Sequence, residues 1–154
     1  MRYSKLSNFP LYLRNATVVA VFAGSTNFAF AQKCETPLPS DLNVSTLKDQ
    51  PLSQFLGIWG DGMWDKVLCH TLVIESLPTP TTAVVVYSHG AYSGWNIRAP
   101  GFYRMQGTLD GTTLKLNFPP SLGARAEYQI VDGKMQGKYF SRTGVVTTEL
   151  SRKP

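Results

Sequence analysis

Arg125-Ala126-Glu127-Tyr128-Gln129-Ile130-Val131-Asp132-Gly133-Lys134-Met135-Gln136-Gly137-Lys138-Tyr139-Phe140-Ser141 reads as two extended runs joined by a tight turn. In the first run Ala126, Tyr128 and Ile130 share one face, and Arg125, Glu127 and Gln129 share the other. A repeat of two residues is the repeat of a strand with one buried side. Asp132-Gly133 between the runs suits a two-residue hairpin, because both residues accept positive φ. The pattern recurs upstream. Leu114, Leu116 and Phe118 oppose Thr113, Lys115 and Asn117. Leu68, His70, Leu72 and Ile74 oppose Val67, Cys69, Thr71, Val73 and Glu75.

Working outward, eight extended runs follow one another, over 55–60, 64–77, 82–89, 101–109, 112–118, 124–131, 134–141 and 144–152. Turn chemistry separates them, at Asp61-Gly62, Pro78-Thr79-Pro80, Asp110-Gly111, Pro119-Pro120, Asp132-Gly133 and Thr143-Gly144. Eight antiparallel strands in one small domain have two common solutions, a sandwich and an up-and-down barrel. Hairpin spacing and the lack of a long crossover favour an all-β, eight-stranded antiparallel barrel, which also leaves no edge exposed. Such a barrel has an interior that side chains fill or that holds one small ligand.

The segment before the strands is of another kind. Arg2, Lys5 and Arg14 precede and flank the short apolar run 16–23, and Ala29-Phe30-Ala31 ends in small residues. That order is a secretory signal peptide over 1–31, cut before Gln32. The run is shorter than the ~20 residues a membrane-spanning helix needs. The domain reading is therefore a signal peptide at 1–31, an N-terminal extension at 32–54 and a barrel at 55–154. Within the extension, Ser45 to Asp49 suits one helical turn that Pro51 ends. Of 154 residues, 123 remain after cleavage, and a net charge of +5 falls to +2. The remaining basic residues are scattered, so nothing resembles the clustered face that binds nucleic acid. Cys34 and Cys69 both remain. An even pair in an oxidising compartment predicts one disulfide. Its loop of about 35 residues is worth roughly 3–4 kcal/mol by chain entropy. Two Cys and two His without a short spacing make no metal site.

Phe55-Leu56-Gly57-Ile58-Trp59 resembles the opening of the lipocalin, fatty-acid-binding and avidin-like families, whose first strand carries Gly-x-Trp. The resemblance implies a calycin-type barrel. It also implies that Trp59 sits at the closed end under an Arg from near the chain end, with Arg152 placed to be that residue and Arg142 as a substitute. A guanidinium stacks well on an indole face. Trp59-Gly60-Asp61-Gly62-Met63-Trp64-Asp65 and Val85-Val86-Tyr87-Ser88-His89-Gly90 are also similar to small secreted bacterial domains of unassigned role. That similarity implies a fold and no chemistry.

The stretch richest in functional groups is Tyr87 to Asn96, in the longest connection between strands. Long loops in compact domains often carry function. Tyr92 and Trp95 suit a lid or an aromatic platform at the barrel mouth. Gly90-Ala91-Tyr92-Ser93-Gly94 has the wrong spacing for a nucleophile elbow, which needs Gly-x-Ser-x-Gly between a strand and a helix. His70 and His89 share faces with apolar neighbours. With Asp65 they are the acid–base candidates for a small barrel isomerase, cyclase or hydrolase. The leading expectation is non-catalytic. It is a secreted or periplasmic protein that binds a small, largely apolar or amphipathic molecule through Tyr87, His89, Tyr92, Trp95 and Arg104, with no cofactor. A third reading is an envelope protein-interaction module with an exposed aromatic patch.

Overall fold

The computed structural model describes residues 35–46 and 52–154. The expectations for the signal peptide and for Cys34 lie outside those residues, as does the helical turn expected over Ser45 to Asp49 beyond its first two residues. Eight strands, β1 (Gly57–Trp64), β2 (Leu68–Thr79), β3 (Thr82–His89), β4 (Gly101–Asp110), β5 (Thr113–Asn117), β6 (Arg125–Val131), β7 (Lys134–Ser141) and β8 (Gly144–Arg152), pair antiparallel in chain order. β8 returns to β1 through Trp59–Arg152 and Gly60–Ser151, and the sheet closes into a barrel. The expected all-β up-and-down barrel is therefore the fold.

The first strand differs from its reading. Asp61-Gly62 is not a turn. β1 runs through it to Trp64, and Trp59 and Gly62 pair with Leu72 and His70, so one extra residue sits between them. This is a β-bulge, with Asp61 at φ 61°. It resolves a conflict of parity. Trp59 and Trp64 are five positions apart, an odd step that would put them on opposite faces of a regular strand. The bulge turns both inward, at 1% and 0% exposure. The chain reverses instead at Asp65-Lys66, at φ 48° and 60°, closed by the Val67 amide donating to the Trp64 carbonyl at 2.9 Å. Two positive φ values make this a hairpin turn of the twisted kind that antiparallel strands favour. Asp132-Gly133 has the same form, with φ 50° and 75°. At Asp110-Gly111 only Gly111 takes positive φ, because Asp110 is already paired with Thr113 and the central residues are Gly111 and Thr112.

The interior is stacked in layers. The 3-10 turn Ser53–Phe55 plugs one end, with Phe55 fully buried. Trp59 lies beside it and donates its indole N–H to the Phe55 carbonyl at 2.9 Å. The Arg152 guanidinium lies over the Trp59 ring, 4.6 Å from its centroid, and also donates to the Gln54 carbonyl. Leu72, Ile74, Val85, Leu109, Leu114, Met135 and Leu150 fill the middle. Large side chains fit there because small ones face them, as a narrow barrel requires. A Cβ added at Gly137 would lie 2.7 Å from Tyr128 Cε1.

Outside the barrel, residues 35–46 run as a strap over β2, β3 and β4. Thr36 bonds Thr71 through their hydroxyls at 2.8 Å, Ser88 Oγ donates to the Pro37 carbonyl at 2.6 Å, and the Ser45 amide donates to the Glu75 carbonyl at 2.7 Å. The strap explains why β2 is buried on both faces over most of its length.

Candidate functional site

The end of the barrel opposite the Phe55 plug holds a cavity of about 460 Å³. Alternation within the strands supplies its walls. β3 contributes Tyr87 and His89, β4 contributes Tyr103, and β7 contributes Tyr139. Phe118, just past β5, and Leu68 of β2 complete the floor. The β3–β4 loop folds over the top. Tyr92 and Ile97 exchange backbone hydrogen bonds at 2.9 and 3.1 Å around a 3-10 turn, Ser93–Trp95. That turn reaches across the mouth, where Trp95 stacks on Tyr139 with ring centres 6.3 Å apart.

The lining is a ring of aromatic contacts. Phe118 meets Tyr87 edge-on at 4.9 Å and Tyr139 at 5.5 Å, and His89 lies 5.8 Å from Tyr103 with the ring planes 30° apart. Among the described residues no Asp, Glu, Lys or Arg lines the cavity. Burial holds the Tyr87 and Tyr139 phenols above the usual tyrosine range, so both stay neutral. Its size falls within that of small-molecule sites, and its apolar lining with a few polar groups is the usual composition. A larger depression of about 660 Å³ lies elsewhere. It is lined by outward-facing polar side chains such as Glu127, Gln129, Gln136 and Lys138, which makes it part of the solvated wall.

Beneath the cavity floor lies a sealed polar layer. The Trp64 indole N–H donates to the Tyr87 hydroxyl at 2.9 Å. His70 is stacked on Trp64, with ring centres 4.4 Å apart and planes 8° from parallel. Tyr87 lies beside it, with ring centres 5.7 Å apart. Among the described residues neither His70 nitrogen nor the Tyr128 hydroxyl has a hydrogen-bond partner. Burial pushes the His70 pKa down to about 3, so the ring is neutral.

The residues singled out in the sequence divide as follows. Tyr87, His89 and Trp95 line the cavity. Tyr92 packs edge-on against Trp95 at 6.1 Å and does not line it. Arg104 faces the other way, on the outer wall, where it donates to both carboxylate oxygens of Asp41 at 2.9 Å and to both of Glu75 at 2.9 and 3.1 Å. Those bonds raise its own pKa and lower that of Asp41. Arg104 pins the strap and is no cavity contact. His70 and His89 are direct cross-strand neighbours, but His89 lines the cavity and His70 does not. Asp65 is exposed in the β1–β2 turn and has no hydrogen bond to either imidazole. The acid–base trio of His70, His89 and Asp65 is thus not assembled. Cys69 is buried on the outer face of β2, at 7% exposure. Among the described residues no cluster of His, Cys, Asp or Glu suits a metal ion. No helix among them is long and apolar enough to cross a membrane.

Tyr103, Tyr139 and Phe118 were not among the sequence candidates. Tyr103 carried a signal. In Gly101-Phe102-Tyr103-Arg104-Met105-Gln106-Gly107, the alternation that puts Met105 and Gly107 inside also puts Tyr103 inside and Arg104 outside.

Fold and site together define a small closed barrel with a plugged pole and an aromatic mouth. No known family, curated protein or solved structure matches the chain.

Proposed function

We propose that this is a lipocalin-like binding protein of the periplasm or the extracellular space, which holds a small, flat, largely apolar molecule at the barrel mouth. The observation that carries the reading is the cavity of about 460 Å³, walled by aromatic rings and free of charged side chains. Arg152 stacked on Trp59 at the plugged pole supports the lipocalin-like assignment. Binding of 2-methoxynaphthalene, followed by calorimetry, tests the reading. The expected result is one site of micromolar affinity, weakened about tenfold by Trp95→Ala, since an aromatic contact plus its burial is worth about 1–2 kcal/mol. No binding, or equal binding by the variant, defeats it.

Export and the disulfide belong to the same proposal. The Glu35 carbonyl and the Cys69 Cβ each lie 3.5 Å from where a Gly90 Cβ would be. The neighbour of Cys34 in sequence is therefore held beside Cys69, which supports a Cys34–Cys69 bond. Protein recovered from the periplasm is expected to begin at Gln32. Denatured without reductant, it is expected to take up no alkylating reagent, and after reduction both of its two cysteines react. Alkylation before reduction would count against the bond.

A further inference from the structure

One histidine, His89, stands in the cavity wall. His89 Nδ1 lies 2.9 Å from the Gly90 carbonyl oxygen. A carbonyl only accepts, so Nδ1 carries a proton, and the tautomer this selects has its lone pair at Nε2. No hydrogen bond to Nε2 occurs among the described residues. Its neighbour on β4 is Gly101, which pairs with His89 across the strands. A Cβ at Gly101 would come within 3.4 Å of Nε2, so the glycine keeps that nitrogen clear of side chains. The ring rests against the cross-strand pair Tyr103 and Tyr87, at 5.8 and 6.2 Å. A lone acceptor in an aromatic wall is a recognition element, because a ligand that covers it without donating to it takes it from water and leaves it unmet.

We infer that the ligand is an aromatic molecule carrying a hydroxyl or N–H donor at its edge, such as a phenol or an indole, and that this donor bonds His89 Nε2. The inference rests on the mouth cavity being a binding site. The donor also sets orientation. The apolar body lies among Phe118, Tyr139 and Trp95, and the polar edge points at β3.

The test compares 2-naphthol with 2-methoxynaphthalene, which has the same rings and no donor, on the purified protein and on His89→Phe. Wild type is expected to prefer 2-naphthol by about fivefold to tenfold, as one neutral hydrogen bond allows. In His89→Phe the ratio of the two affinities is expected to fall to about one, whatever the change in binding that the two probes share, and circular dichroism checks that the variant is folded. Equal binding of the two probes by wild type overturns the donor requirement and leaves the binding site standing. A preference that survives in His89→Phe overturns the role of His89. If neither probe binds wild type, the site itself fails and this inference falls with it.

Discussion

Acidifying the protein from pH 6 to pH 4 is expected to lower its unfolding free energy by on the order of 2 kcal/mol through His70 alone. In the fold burial holds this imidazole at about 3, against 6.5 for a free side chain. Between those values the unfolded chain takes up a proton that the folded chain refuses. The stability His70 allows is therefore whole above about pH 6.5 and declines steadily as the pH falls toward 3. Carboxylates add their own acid sensitivity at the lower end, so a variant must separate the two. His70→Phe keeps a flat ring stacked on Trp64 and beside Tyr87 and removes the titrating group. It also removes two buried nitrogens that have no partner. Replacing an unsatisfied polar group by an apolar one of similar shape is neutral or stabilising. Urea melts at several pH values are expected to show a flatter profile for His70→Phe between pH 6.5 and 4.5, with stability at pH 7 equal to wild type or above it. An unchanged slope would mean that His70 does not control the acid limb.

Gly62→Ala is expected to destabilise the barrel by about 1–3 kcal/mol, although alanine suits the backbone there. The added Cβ would lie 2.5 Å from His70 Cε1, 2.9 Å from His70 Nδ1 and 2.8 Å from Leu150 Cγ. Neither neighbour is the free end of a flexible chain. His70 is clamped in its stack, and Leu150 is fully buried. The mechanism makes a second statement. In a His70→Ala background most of the obstruction is gone, so the same substitution is expected to cost less. A double-mutant cycle in urea reads this as a coupling energy. Additive effects would show that Gly62 matters for some reason other than the imidazole beside it.

Architecture was legible because it rests on a repeat of two residues and on turn chemistry, and both are local. The runs at 82–89, 134–141 and 144–152 coincide with β3, β7 and β8. The first strand was misread because a bulge has no composition of its own. Asp61-Gly62 has the residues of a turn, and only the wish to bury both Trp59 and Trp64 argues against one. The candidate site was legible by half. Tyr87, His89 and Trp95 stood out because they crowd one stretch of chain. Tyr139 and Phe118 meet them only after the sheet has closed, and closure is set by pairing between distant strands. Arg104 was drawn toward the cavity by its charge, whereas Asp41 and Glu75, far off in sequence, hold it on the outer wall.

Arg152 ends the last strand beside the Phe55 plug, so the chain leaves the barrel at the pole away from the mouth. With strands about eight residues long, that pole lies roughly 20 Å from the aromatic opening. A surface linker, a dye or a fused domain attached after Pro154 would therefore anchor the molecule by its base. The opening would face solution, the geometry wanted when such a barrel is immobilised as a sensor.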